Sequence, residues 1–206
     1  MVGDNVQRSN KSAKSMWLMA AMFLLPMFIA AWLFFSDTDW GATATRNNGE
    51  LVRPALPLKG FTLKTVADEN FDLTHLRKKW SLVMVADGEC AVACEDVIYK
   101  TRQARLAQGK EMSRVRRVLV LNQIQLSEAQ LNIFKQQQPD LIVVSGSPDQ
   151  VLTLTGQLGI SEATKHAGHV FMIDPLGNHM MNYKSGFEAG GLLKDIRRLL
   201  HVSQIG

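Results

Sequence analysis

Met16 to Phe35 is a run of twenty residues without a charged side chain, interrupted only by Pro26. A helix rises about 1.5 Å per residue, so this run covers roughly 30 Å, the thickness of a bilayer core. Trp17 and Trp32 stand near its ends, where amphipathic rings favour the interface. Arg8, Lys11 and Lys14 precede it, whereas Asp37 and Asp39 follow. That asymmetry predicts a cytoplasmic N-terminus over residues 1–15, a membrane anchor over 16–35, and an exported remainder. Ala42-Thr43-Ala44 has the small-x-small form of a signal-peptidase site, so a cleaved signal is the competing reading. No basic, Ser-rich transit peptide precedes the run. The expected setting is therefore the bacterial inner membrane, with a single pass and the main domain in the periplasm.

Residues 36–55 read as a periplasmic linker, rich in Asp, Thr, Asn and Gly and without hydrophobic period. Residues 56–206 are one domain's worth of chain, long enough to bury a core. Within them strands alternate with helices. Phe61–Val66 alternates apolar and polar residues as a half-buried edge strand does, and residues 71–73 start its partner. Trp80–Ala86 is a continuous apolar run fit for a central strand, followed by a helix from Cys90 to about Gln108. A second buried strand covers 115–121. A helix follows at 127–137, capped by Ser127 with Gln130 three positions on. A strand at 141–144 precedes a helix from Pro148 to about Leu158. A hairpin spans 169–183 and a closing helix 188–200. This order predicts a layered α/β domain.

The two cysteines of the chain, Cys90 and Cys94, stand at the expected strand-to-helix junction. Residues i and i+4 share one helix face, so both thiols would point the same way. Their Cα atoms would lie about 6 Å apart, a separation that permits a disulfide as well as joint binding of a soft ion. Exposed N–H groups at a helix N-terminus favour the thiolate of Cys90. A purely structural disulfide is the plain alternative, but a bridge across so short a loop stabilises little.

These features resemble the Sco/SenC family of thioredoxin-like, membrane-anchored proteins. The resemblance covers most of residues 55–200. It rests on the three-residue spacer of Cys90 and Cys94, on Asp140–Val151, on Val170-Phe171-Met172-Ile173-Asp174-Pro175, on Tyr183, and on Asp195–Leu200. His166 precedes Asp174 by eight residues, which resembles the family's spacing from copper ligand to hairpin turn. The resemblance implies a thioredoxin-like three-layer fold, a central mixed sheet flanked by helices, preceded by one transmembrane helix. It also implies copper, as Cu(I) or Cu(II), on Cys90, Cys94 and His166, with His169 as substitute ligand. The implied role is assembly of cytochrome c oxidase, by delivering copper to its copper-bearing subunit or by reducing that subunit's copper-site cysteines. The chain departs from the family at Glu95, where a proline is usual, at 122–126, where a polar motif is usual, and at Lys165, where an aspartate is common.

Two other readings stand beside this one. A periplasmic thiol–disulfide reductase of thioredoxin type would need no metal, but such proteins usually have a two-residue spacer and a proline where Gly168 stands. A non-catalytic scaffold that only contacts the oxidase is the third. His75, His179 and His201 read as surface or hairpin residues. Met84 and Met172 read as core strand residues, and Met180 and Met181 as core or hairpin packing in preference to copper ligands. Lys100, Arg102, Arg105, Lys110, Arg114, Arg116 and Arg117 read as a solvated face in preference to a docking patch. A net charge of +4, with no aromatic residues among these cations, gives no ground for nucleic-acid binding.

Overall fold

The apolar run at 80–86 lies, as expected, in the middle of a sheet. The computed structural model describes residues 4–35, 47–87, 92–122, 132, 134, 136–160 and 168–205. Cys90, His166 and Lys165, the cap residues Ser127 and Gln130, and Ala42–Ala44 lie outside them. The chain divides into two units, Met1–Thr45 and Arg46–Gly206.

In the first unit, helix α1 spans Asp4–Phe35. Its stretch Lys14–Leu33 is long and apolar enough to cross a membrane, with a mean hydropathy of 2.0 and no part buried. The helix starts well before Met16, because hydropathy marks the apolar part of a helix and not its ends.

The second unit contains β1 (Glu50–Pro57), β2 (Thr62–Thr65), β3 (Asn70–Asp72), α2 (Leu73–Leu76), β4 (Trp80–Asp87) and α3 (Val92–Leu106). A 3₁₀ turn at Gly109–Arg114 leads into β5 (Val115–Asn122). Then come β6 (Leu141–Gly146), α4 (Pro148–Thr155), β7 (Val170–Ile173), β8 (Asn178–Tyr183) and α5 (Ala189–Val202). The strands form one mixed sheet in the order β1-β8-β7-β4-β5-β6-β2-β3. β4, β5 and β6 are parallel, and the remaining pairs are antiparallel.

Alternation along the inner strands supplies both faces. Leu82, Met84, Leu119, Leu121 and Met172 pack with Val97 and Ile98 of α3 and Leu192 and Ile196 of α5. Val83, Val85, Val118, Val120 and Phe171 pack with Leu76 of α2 and Val151 and Leu154 of α4. A strand covered on both sides is apolar at most positions, which is why residues 80–86 carry no polar alternation; Ser81 is buried with its hydroxyl donating to the Leu76 carbonyl. Each buried aliphatic side chain contributes about 1.5–3 kcal/mol of transfer free energy. At the start of α4 the Ser147 hydroxyl accepts from the Gln150 amide, and the Gln150 side chain accepts from the Ser147 amide. Pro148 takes the first helical position, where no N–H is needed.

Two expectations change. The linker expected over 36–55 gives up its last six residues to β1, which pairs with β8 through Glu50↔Asn182 and Leu51↔Met181. β1 is an edge strand whose register shifts between Leu51 and Leu56, and this is where Pro54 is tolerated. The second change concerns residues 61–66. The strand there, β2, is not the edge: it lies between β6 and β3, because the short β3 adds outside it.

Candidate functional site

Cys94 is the third residue of α3, at the helix end that follows the C-terminal end of β4. Its side chain is 3% exposed and packs within the core formed by α3, α5 and the sheet. Cys94 is disulfide-bonded. Its neighbours on the outer face differ sharply: Val92 is 82% and Tyr99 61% exposed, with Glu95 also exposed between them. Spacings of three and four residues put Val92, Glu95 and Tyr99 on one helix stripe, an apolar and acidic surface beside the thiol. The i, i+3, i+7 spacing of Val92, Glu95 and Tyr99 carries this stripe in the sequence itself.

Gly168 supplies the other side of the site. It is buried, with φ +81°. A Cβ built on it would lie 2.7 Å from Ser185 Oγ and 3.4 Å from the Ala93 carbonyl oxygen. The segment entering β7 therefore runs against the first turn of α3, next to Cys94, and its left-handed backbone, with Ser185 crowding any Cβ, favours glycine. Proline, with φ fixed near −65°, cannot adopt this conformation. The position where a thioredoxin-type reductase usually has proline is thus built differently here. His169 follows directly, with its ring 6.3 Å from that of Phe171. Among the described residues no group of three His, Cys, Asp or Glu side chains could hold a metal ion. Two of the expected ligands, Cys90 and His166, are outside those residues. We expect Gly168→Ala to cost about 1–2 kcal/mol through left-handed strain and crowding against Ser185, read as a lower thermal midpoint.

Two polar clusters brace this framework. Asp195 on α5 is buried and accepts hydrogen bonds from the Asn48 amide at 2.7 Å, the Gly49 amide at 3.0 Å, Asn48 Nδ2 at 3.0 Å and the Tyr183 hydroxyl at 2.8 Å. Burial, together with the bond to Asp195, pushes the Tyr183 phenol well above its ordinary range. These bonds fasten the beginning of the domain, Asn48 and Gly49, to its last helix. A Cβ on Gly49 would lie 2.6 Å from Met181 Sδ, so that position also requires glycine.

The second cluster corrects the reading of the basic residues as one solvated face. Arg117 is fully buried. Its guanidinium grips both oxygens of Asp140 at 2.8 and 3.0 Å and donates to the Ile98 carbonyl and the Gln138 side chain. Burial pushes the Asp140 carboxyl up, but the Arg117 hydrogen bonds and charge, helped by Arg105, hold it below its ordinary value. Arg114 donates to the carbonyls of Leu200, Ser203 and Ile205, tying the 3₁₀ turn to the end of the chain. A run of cations is visible in the sequence, but the distant carbonyls and the Asp140 carboxylate that fold back onto them are not.

His179 is likewise buried in the hairpin and not at the surface. Its Nε2 hydrogen-bonds to Asn182 Oδ1, and its buried Nδ1 has no partner among the described residues. Burial pushes the imidazole below its ordinary 6.5, partly offset by the Asn182 bond. The unfolded chain therefore takes up a proton before the folded protein does. Stability is unaffected well above pH 6.5 and falls as pH drops through that value towards the lower folded-state pKa. Thermal midpoints of the wild type should decline from pH 7.5 to 5.5, and His179→Gln should remove that part of the slope.

A family model described as transmembrane-like, thioredoxin-like, C-terminal domain matches residues 80–203. No curated protein matches the chain. Among solved structures, apo Sco1 from Thermus thermophilus superposes with a TM-score of 0.61 at 18% identity, covering 77% of this chain and 99% of that one. Yeast Sco1 with copper bound gives 0.61 at 15%, covering 74% and 96%. The thioredoxin domain of a thiol-disulfide oxidoreductase from Bacteroides vulgatus gives 0.55 at 14%, covering 71% and 96%. At these identities the structures share the fold, and the fold is the one the Sco/SenC resemblance implied. The match over residues 80–203 covers most of the domain and the whole of its Cys94–Gly168 framework, and by it the chain belongs to the transmembrane-like, thioredoxin-like C-terminal domain family.

Proposed function

We propose that this chain is a single-pass assembly factor of the bacterial inner membrane, with residues 1–15 in the cytoplasm and the thioredoxin-like domain in the periplasm. It matures the copper centre of cytochrome c oxidase, either by delivering copper or by reducing the copper-site cysteines of the copper-bearing subunit. The observation that carries this reading is the approach of Gly168 to the Ala93 carbonyl. It sets Gly168, two residues after His166 in the sequence, beside the first turn of the helix bearing Cys94. An imidazole added to two thiolates makes a donor set suited to both Cu(I) and Cu(II). The copper carried by the yeast Sco1 structure, which shares this fold, supports the same cargo.

In delivery, Cys90, Cys94 and His166 hold the ion, with His169 able to replace His166. In reduction, the Cys90 thiolate attacks a disulfide of the target and forms a mixed disulfide. Cys94 then attacks the Cys90 sulfur and releases the target thiolate. Two electrons and two protons pass to the target, and the pair ends as a disulfide. The burial of Cys94 suits the second, resolving role. A reductase without its own metal is the second reading, supported by the disulfide at Cys94 and the shared fold of the Bacteroides oxidoreductase.

The test is Cu(I) titration of the reduced full-length protein in detergent against a chromophoric chelator. One copper per chain is expected, with affinity about tenfold lower in His166→Ala, since an imidazole ligand is lost. Absence of copper above background in the wild type removes the delivery reading. A reduction potential in the thioredoxin range, roughly −270 mV, then supports the reductase, and inert thiols support a scaffold.

A further inference from the structure

At the end of the domain opposite Cys94, the N-terminal ends of β4 and β5 frame a pocket of about 370 Å³. Lys79, Arg105, Ser113, Arg116 and Asp140 line it, with Val115 and Ile142 as its apolar wall. Trp80 and Val115 are register partners at the first position of the two strands, and Arg105 lies in the last turn of α3. Eight residues of β4, at about 3.3 Å each, separate this end from the thiol end. The pocket is therefore no part of the thiol site.

Its charges do not balance. Three cations, Lys79, Arg105 and Arg116, face one carboxylate. That carboxylate is already committed: Asp140 is held on both oxygens by Arg117, and Arg105 Nη1 lies 3.3 Å from it. Among the described residues neither Lys79 nor Arg116 forms a salt bridge. Arg116 Nη1 is buried and has no hydrogen-bond partner among them. Burial pushes the Arg116 guanidinium below its ordinary value, the mark of a cation removed from water without a counter-charge. A half-buried cation without a counter-charge is disfavoured, and an anion is what offsets that cost.

We propose that this pocket binds a phosphate-type oxyanion. Its donors are of the kinds that such an anion uses: a guanidinium with an N–H that has no partner among the described residues, a second guanidinium, an ammonium and a hydroxyl. The opening to solvent admits either inorganic phosphate or the phosphodiester of a phospholipid headgroup, which present the same oxygens.

The test uses the full-length protein in a nonionic detergent at low ionic strength. Calorimetric titration with inorganic phosphate and with glycerophosphoglycerol, the soluble headgroup of phosphatidylglycerol, is compared with acetate and chloride. Saturable binding of at least one phosphate compound below about 1 mM is expected. Tighter binding of the headgroup identifies a lipid source, and tighter binding of inorganic phosphate a free one. Arg116→Gln should weaken binding about tenfold. Lys79→Gln, at a position outside the core, should weaken it several-fold and guards against misfolding of the first variant. Cu(I) binding should be unchanged in both, which separates this site from the thiol site. Phosphate binding no tighter than acetate, or binding unaltered in both variants, overturns the proposal.

Discussion

Asp140→Ala is expected to destabilise the domain by about 3–5 kcal/mol, the cost of leaving a buried charge without its partner. Arg117 is completely enclosed, and all three of its guanidinium nitrogens are spoken for. Removing Asp140 deletes the only opposite charge in that set and leaves the Gln138 and Ile98 oxygens, which are dipoles and not charges. For a domain of this size the loss corresponds to a fall of roughly 6–20 °C in thermal midpoint. The reverse substitution should be milder. In Arg117→Met the side chain is replaced by an apolar one of similar volume, and Asp140 keeps Arg105 within 3.3 Å. Melting of the two variants by circular dichroism checks the order. Equal or inverted losses would show that the pair does not carry the energy assigned to it.

Asp195→Ala should cost about 3 kcal/mol or more. It strips the acceptor from two buried donors, the Gly49 amide and the Tyr183 hydroxyl, and each such orphan costs about 1–3 kcal/mol. The Asn48 groups are less enclosed and can turn to water. Asp195→Asn should be intermediate, because one amide oxygen still accepts while the amide nitrogen meets other donors. The effect should also be local. With the clasp removed, the Gly49 amide should exchange with deuterium far faster, while amides of β4 and β5 lose protection only in step with global stability. Unchanged exchange at Gly49 would contradict the clasp.

The framework of the fold was legible because period and run length answer to solvent. The nearly continuous apolar run at 80–86 fits a strand covered on both faces, and Ser147-Pro148 with Gln150 marked a helix start from local hydrogen bonding alone. β1 escaped because an edge strand interrupted between Leu51 and Leu56, with Pro54 inside, has no two-residue period to read. His179 and Arg117 escaped for another reason. Polar type predicts exposure, and only their distant partners in the fold account for their burial.

By itself the sequence determined the apolar helix, the order of most strands and helices, and the placing of Cys94 at a strand-to-helix junction, since these depend on neighbours within a few turns of chain. The tertiary structure alone decided what lies across the sheet. It brought Gly168 to Ala93 through a conformation closed to proline, set Asp195 against Asn48 and Gly49 across most of the domain's length, and turned a run of cations into one buried ion pair and a charged pocket. Those contacts join residues tens of positions apart. They are fixed by strand order and packing, which no local pattern encodes.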